Sequence, residues 1–392
     1  MRKPPLTYDG VAIWLVETDE ELKEALEELW SSSVLALDLE FDQNRFTYGF
    51  NLCLIQITDG KGKCFIIDPF MVKDLKPLFQ LLEAPDITKI IHHANNDILL
   101  LNKLGCKIKG VMDTDVAAKI LNFERSSLAT VLKTEFDKEI DKSQQSSNWN
   151  KRPLTEDQII YAAIDIIYLH RVKDRLVEQV KELERLDWLE EENFLLEQLT
   201  YAEPVNPHLK LRNAYKLNIY QQFILKELFA FREKMGKKLN KPAPYVISNE
   251  ALVELANNPN TDVREWINHS RGIHTALKKP FNEKELVITM ANAKKEAKEQ
   301  HISHEYVANK FFRPIKTPET EARKEALTQV QKKIVEKYGE FATRLIITQG
   351  LITEYSQTGK LRCVKQYATE VLLQTAAELN IALPVPATRE TE

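Results

Sequence analysis

Val34-Leu35-Ala36-Leu37-Asp38-Leu39-Glu40-Phe41 decides the architecture of the first half of this 392-residue chain. The run is apolar and strand-forming until two acids appear near its end, so it reads as a buried strand. Residues i and i+2 of a strand face the same side of a sheet, which puts Asp38 and Glu40 together. Two carboxylates on one face repel each other and lose hydration. Such a pair persists most easily where a cation neutralises it, and hard carboxylate oxygens suit Mg²⁺ or Mn²⁺. Taken by itself, the pair has a simpler account, a strand end emerging into solvent.

Outward from that strand the pattern alternates between a period of two and a period of 3.6. Further strands are expected at residues 11–16, 52–58, 64–67 and 89–92, with Asp59-Gly60-Lys61-Gly62-Lys63 turning a hairpin. Thr18-Asp19-Glu20-Glu21 has the spacing of a capping box and opens a helix to residue 30. Helices are also expected at 95–104, stopped by Gly105, at 114–122, at 127–136, and as one long helix over 155–180. Residues 141–153 are polar and loop-like. Strands alternating with helices predict an α/β fold, a mixed sheet flanked by helices.

Tyr201-Ala202-Glu203-Pro204-Val205-Asn206-Pro207 reads as a linker, and from residue 217 onward the periodicity is helical almost throughout. Residues 243–248 are expected to be a short extended piece, with Ser248 as a helix N-cap. A second break is expected from Arg313-Pro314 to Pro318.

No apolar run approaches the ~20 residues of a membrane helix. Met1-Arg2-Lys3-Pro4-Pro5 leads into no apolar stretch, so no signal peptide is expected. Cys53, Cys64, Cys106 and Cys363 are scattered without a C-x-x-C pair, which fits reduced thiols and a cytoplasmic location. The net charge is −4, unevenly spread: residues 210–280 carry 13 Lys and Arg against 6 Asp and Glu, a net of +7 that leaves −11 elsewhere. An acidic body joined to a basic module suits an enzyme that gathers cations at one site and binds polyanions at another. A helical segment that merely happens to be lysine-rich fits as well.

Tyr161 and Asp165 are four apart in a helical run, hence on one face. The apolar neighbours Ile159 to Leu169 make Asp165 a poor surface residue, and a buried charge needs a partner or a metal. A structural salt bridge or a cap is the alternative. Asp97 follows His92-His93-Ala94-Asn95-Asn96 at a strand-to-helix junction, where the helix dipole alone accounts for an acid. His92 and His93, adjacent on a strand, would point to opposite faces, which disfavours zinc.

Together these pieces resemble the ribonuclease D family, within the DnaQ-like exonucleases that use four acids. The resemblance covers about residues 8–200. It rests on Ala36 to Phe41, Leu54-Ile55-Gln56-Ile57, Ile67-Asp68-Pro69, His93-Ala94-Asn95-Asn96-Asp97, Asp113-Thr114 and Asp141-Lys142-Ser143. Trp149, Arg152-Pro153-Leu154-Thr155 and Tyr161-Ala162-Ala163-Ile164-Asp165 complete it. Tyr four before the last acid, with Ile at 160, marks the tyrosine branch of the class. Residues 225–277, with Phe231-Arg232-Glu233-Lys234, resemble an HRDC module, a small helical nucleic-acid-binding domain.

The resemblance implies a ribonuclease H-like exonuclease domain over 1–203 and an HRDC domain over 210–290. A helical C-terminal domain, a degenerate second HRDC, would occupy 315–384. It implies 3′→5′ hydrolysis of single-stranded RNA ends, with tRNA precursors as the substrate class, by a monomeric enzyme. Two divalent cations, Mg²⁺ or Mn²⁺, would be held by Asp38, Glu40, Asp97 and Asp165, with Tyr161 orienting the attacking water. Phe41 is a candidate wedge for the terminal base. Gln56, His93, Asn96 and Trp149 are candidate nucleotide contacts, and Arg152, Lys237 and Lys238 candidate phosphate contacts. Each of these also has a structural explanation as a packed, hydrogen-bonded or solvated side chain. A 3′→5′ DNA exonuclease and a non-catalytic nucleic-acid-binding protein are the competing readings.

Overall fold

The computed structural model describes residues 4–306 and 316–384; the break expected at Arg313-Pro314 lies outside them. The first half builds one seven-stranded mixed sheet. Its strands are β1 (Leu6–Tyr8), β2 (Val11–Val16), β3 (Val34–Gln43), β4 (Phe50–Thr58), β5 (Lys63–Ile67), β6 (Thr88–Ile91) and β7 (Val111–Asp113). They lie in the order β1-β2-β5-β4-β3-β6-β7. Strand β3 runs antiparallel to β4 and parallel to β6.

Alternation along β3 gives the sheet its two cores. Leu35, Leu37 and Leu39 join Ile55, Ile57 and Ile67 under α1 (Asp19–Leu29), α2 (Lys76–Glu83) and α3 (Asn95–Lys103). Ala36 faces the other way, with Leu54, Cys64 and Ile66. That face is covered by α4 (Thr114–Ile120), α5 (Leu128–Phe136), α6 (Glu156–Ile167) and α7 (Leu169–Glu182). Each fully buried Leu or Ile contributes about 1.5–3 kcal/mol, enough to set the register of β3. Asp38 and Glu40 follow Ala36 by two and four residues, so the period of two puts them on the face where α6 packs over β3.

The helix ends follow local chemistry. Thr18 caps α1 by accepting the Glu21 N–H, but the Glu21 carboxylate turns back one residue further, onto the N–H of Glu17. Thr155 and Gln158 form a reciprocal capping box on α6. Two expected elements differ. The long helix over 155–180 is two, α6 and α7, which meet at Tyr168. There the Tyr168 hydroxyl donates to Asp9 at 2.8 Å, a tertiary anchor 159 residues away that helical periodicity does not register. The segment over 243–248 begins as a helical turn, Ala243–Val246, because the first turn of a helix needs no N–H from Pro244. Strands β1 and β7, helix α2 and α8 (Leu186–Glu197) were not expected.

The second half is all helical. It starts with α9 (Ile219–Leu239), α10 (Ala243–Val246), α11 (Asn249–Asn257), α12 (Val263–His269) and α13 (Pro280–Glu299). These enclose a core of their own, including Leu228, Phe231, Trp266 and Leu286. Ser248 caps α11 by accepting the Ala251 N–H. The chain ends in α14 (Pro318–Tyr338), α15 (Glu340–Ile346), α16 (Gln349–Thr358) and α17 (Gln366–Glu378). Their apolar faces join the α4–α7 core. Trp188 of α8 stacks on Tyr367 with ring centroids 4.8 Å apart. The α15 terminus is capped from the other unit, since Asn122 Oδ1 accepts the N–H of Phe341 at 2.7 Å. Among the described residues no helix is long and apolar enough to cross a membrane.

Candidate active site

Three elements bring the acids together. Strand β3 supplies Asp38 and Glu40, α6 supplies Tyr161 and Asp165 one turn apart, and the first turn of α3 supplies Asp97. Asp38, Glu40 and Asp165 each offer a carboxylate oxygen, and these atoms lie within 4.8 Å of one another. Asp97 is 5% exposed beside them, and its Oδ1 is buried without a hydrogen-bond partner. Asp113 holds the start of α3 in place. Its carboxylate accepts the N–H groups of His93 and Ala94, both at 2.9 Å, and of Asp115 at 2.8 Å.

The cluster stores electrostatic repulsion. Burial pushes Asp38 well above the usual carboxylate range, and Asp97, Asp165 and Glu40 push it further. Glu40 is raised by burial and then by Asp165 and Asp97. Burial raises Asp97 to about 7. It also raises Asp165 to about 7, against the attraction of Lys142 and a hydrogen bond from Tyr161. A divalent cation reverses this preference by favouring the ionised forms. Mutually close carboxylates and an unpartnered buried oxygen, all hard oxygen donors, fit Mg²⁺ or Mn²⁺. The Tyr161 hydroxyl is held protonated, first by burial and then by the adjacent carboxylates.

Above the acids opens a cleft of about 440 Å³. Phe41, His93, Asn96 and Trp149 line it, as do Asp38, Glu40, Asp97, Tyr161 and Asp165. Trp149 is 3% exposed and packs its ring 6.1 Å from that of Tyr161, so it is both wall and core. His93, in a left-handed conformation at φ 68°, directs Nδ1 to Asp115 at 3.1 Å. That hydrogen bond raises its pKa. Asp115, although buried, is held low by hydrogen bonds from His93, Lys119 and Ser126.

Two expected contacts are corrected. Arg152 does not reach the cleft. Its Nη2 donates to Asp68 Oδ1 at 2.8 Å and its Nε to Asp68 Oδ2 at 2.5 Å, and the remaining donors meet carbonyls of Cys53, Trp149 and Lys151. A guanidinium spent on a fully buried aspartate is a structural clamp. Gln56 lies opposite Asp38 in the β3–β4 register and is fully buried, so it presents nothing to a ligand in the cleft. Lys237 and Lys238 sit in the last turn of α9, outside the cleft, and Lys238 donates to Asn282 at 3.0 Å.

The sequence reading missed Arg45 and Phe46, which line the rim. Their signal was Asp42-Gln43-Asn44-Arg45-Phe46-Thr47, an acid followed by a loop in which Asp42 can accept several N–H groups.

Comparison with known proteins agrees with this geometry. The family described as 3′-5′ exonuclease matches residues 13–181. Ribonuclease D of Acidiphilium cryptum is 32% identical over 269 residues, 67% of each chain. Ribonuclease D of Desulfotalea psychrophila is 32% identical over 247 residues, 62% of this chain and 66% of the relative. The matches to the first few such relatives span 60–66% of the relatives' own length. The crystal structure of Escherichia coli RNase D shares the fold at 22% identity and a TM-score of 0.70, over 95% of this chain and 98% of that one. A 3′-5′ exonuclease domain, a helical second half and a ribonuclease D relative 32% identical over two thirds of both chains thus place this chain in the ribonuclease D family.

Proposed function

We propose that this chain is a metal-dependent 3′→5′ exoribonuclease acting on single-stranded RNA ends, with tRNA precursors as its substrate class. One observation carries the reading: Asp38, Glu40 and Asp165 converge within 4.8 Å, beside the unpartnered oxygen of Asp97, at the floor of an open cleft. The ribonuclease D names of its relatives support RNA as the substrate.

Asp38 would hold both of two divalent cations, Glu40 and Asp165 would complete one site, and Asp97 would support the other. When bound, such a pair supplies Lewis-acid stabilisation of the attacking and leaving oxygens of an in-line displacement. The chain's own groups do the rest. Tyr161, kept protonated by its surroundings, donates a hydrogen bond to Asp165 and can orient water without acting as a base. Phe41 and Trp149 form apolar walls for the terminal base. His93, its pKa raised by Asp115, offers a donor to phosphate.

Residues 1–203 form the exonuclease domain in this reading, and 210–290 an HRDC domain whose net positive charge suits a polyanion. The C-terminal helical domain over 315–384 buttresses the first. The protein acts as a monomer in the cytoplasm.

The test is digestion of RNA and DNA oligonucleotides labelled at either end, with Mg²⁺ or Mn²⁺. RNA should shorten stepwise from its 3′ end. Asp38→Asn should slow this by at least about 10²–10³-fold, while binding of the strand largely survives. Shortening of DNA alone, or no metal-dependent digestion of any strand, would overturn the reading.

A further inference from the structure

Residues 42–49 leave β3 at the rim of the acidic cleft and return to β4. Asp42, 3% exposed, ties this loop into one shape. Its carboxylate accepts the N–H of Arg45 at 2.8 Å, of Phe46 at 3.2 Å and of Thr47 at 2.7 Å. It also accepts the Thr47 hydroxyl at 2.7 Å and the Asn150 amide at 2.8 Å. Despite burial, these donors hold Asp42 below the usual carboxylate range. Asn44 Oδ1 closes the loop on the Gly49 N–H at 2.7 Å.

The loop displays Arg45 and Phe46 at the cleft, with the guanidinium 5.0 Å above the Phe46 ring. Among the described residues Arg45 is exposed and has no carboxylate partner, whereas Arg152 has one. Among those residues it is the one arginine or lysine lining this cleft, while Lys142 lines the adjoining hollow beside Asp165. A guanidinium left unpaired on a rigid loop beside an anionic floor suits a phosphate, which it can engage with two parallel donors.

The far end of the same loop meets the helical unit. The Tyr48 N–H donates to Asn240 Oδ1 at 3.3 Å. Gly236 of α9 lies against the Tyr48 ring, where an added Cβ would come within 2.9 Å of Cδ2. A glycine inside a helix costs about 1 kcal/mol relative to alanine, and this contact accounts for it. Gly236 is followed by Lys237 and Lys238, and the helix cap by Lys241; all three lysines are exposed. One loop therefore runs from the acidic floor to a basic helix end.

We propose that Arg45 clamps the RNA phosphate immediately upstream of the scissile one, and that loop 42–49 leads the strand from the cleft to Lys237 and Lys241. The ligand is the ribose-phosphate backbone, read without regard to base. The scissile phosphate belongs at the carboxylate floor, so a cation on the rim facing α9 meets the next phosphate along. This rests on the exoribonuclease reading for its polarity.

The test uses the full chain, with Arg45→Ala and Arg45→Lys. Arg45 makes no side-chain hydrogen bond among the described residues, so the fold does not depend on it. Arg45→Ala should raise KM for a long single strand roughly tenfold with kcat little changed. It should also lower the slope of log affinity against log salt by about 0.7, one phosphate contact on a single strand. Arg45→Lys should restore the slope and only part of the affinity, because an ammonium lacks the paired donors. The Lys237→Ala/Lys241→Ala pair should weaken a long strand more than a trinucleotide. An Arg45→Ala protein with wild-type KM and wild-type salt slope would refute the clamp. Binding measured in calcium, without turnover, separates the two readings. If wild-type protein binds the strand but never shortens it, the enzymatic reading fails, and the salt slope of Arg45→Ala still decides the clamp.

Discussion

Metal-free protein should lose stability as pH rises from about 4 to about 7, and a divalent cation should restore it. Asp97 carries the argument. Its folded-state pKa is raised by burial, then by Asp113, from 3.8 to about 7. Below 3.8 the carboxyl is protonated in both folded and unfolded chains, and folding bears no penalty. Between 3.8 and about 7 the unfolded chain releases its proton first, so stability falls with pH; above about 7 the penalty is complete and constant. The shift corresponds to about 4 kcal/mol, which for a chain of this length lowers Tm by roughly 5 °C. Asp165, raised to about 7 mainly by burial, acts in the same direction and window.

The assay is thermal unfolding in a chelator from pH 5 to 8, with wild type and Asp97→Asn side by side. Subtracting the two curves leaves Asp97 together with the carboxylates it pushes up, Asp38 and Glu40. The difference should widen in favour of the variant as pH rises through the window. Saturating Mg²⁺ binds only the ionised cluster, and at a hundred times its Kd it should return about 2.7 kcal/mol to wild type and much less to Asp97→Asn. A wild-type-minus-variant difference that is flat with pH, or Mg²⁺ stabilisation equal in both proteins, would refute the reasoning.

Arg152→Ala should destabilise by about 3–5 kcal/mol in chemical denaturation, because it strands the fully buried Asp68 carboxylate without its partner; an effect under about 1 kcal/mol would restore Arg152 to the list of exposed phosphate contacts. Asn122→Ala should cost about 1 kcal/mol and raise amide exchange over residues 339–346, since Asn122 caps α15 from the other unit; unchanged exchange there would show the cap to be dispensable.

What was readable in the sequence is what a local period reports. The face shared by Asp38 and Glu40 follows from two residues of strand, and that shared by Tyr161 and Asp165 from one turn of helix. Both are settled within five residues, and both recur in the fold. The helical character of the second half is local in the same sense. Arg152 shows where this stops. Seen in sequence it is a polar-loop arginine near an acid-rich site, a natural phosphate contact. Its partner Asp68 is 84 residues away, and only the packing of the 141–153 loop against β4 and β5 brings them together. Tyr168 fails for the same reason: its apolar run continues without a break, and the partner of its hydroxyl, Asp9, is 159 residues away. Arg45 was missed for a different cause, because a loop has no period. The signal was chemical, an aspartate positioned to accept several N–H groups, and it becomes compelling only once Asn150 and Asn240 are seen to brace the loop from either side. The acids were thus legible because a repeat spacing carries them, whereas the groups proposed to meet the strand depend on pairings between distant parts of the chain. That ordering fits the proposed enzyme, whose chemistry would sit on the sheet and whose substrate path would run along the loops joining its units.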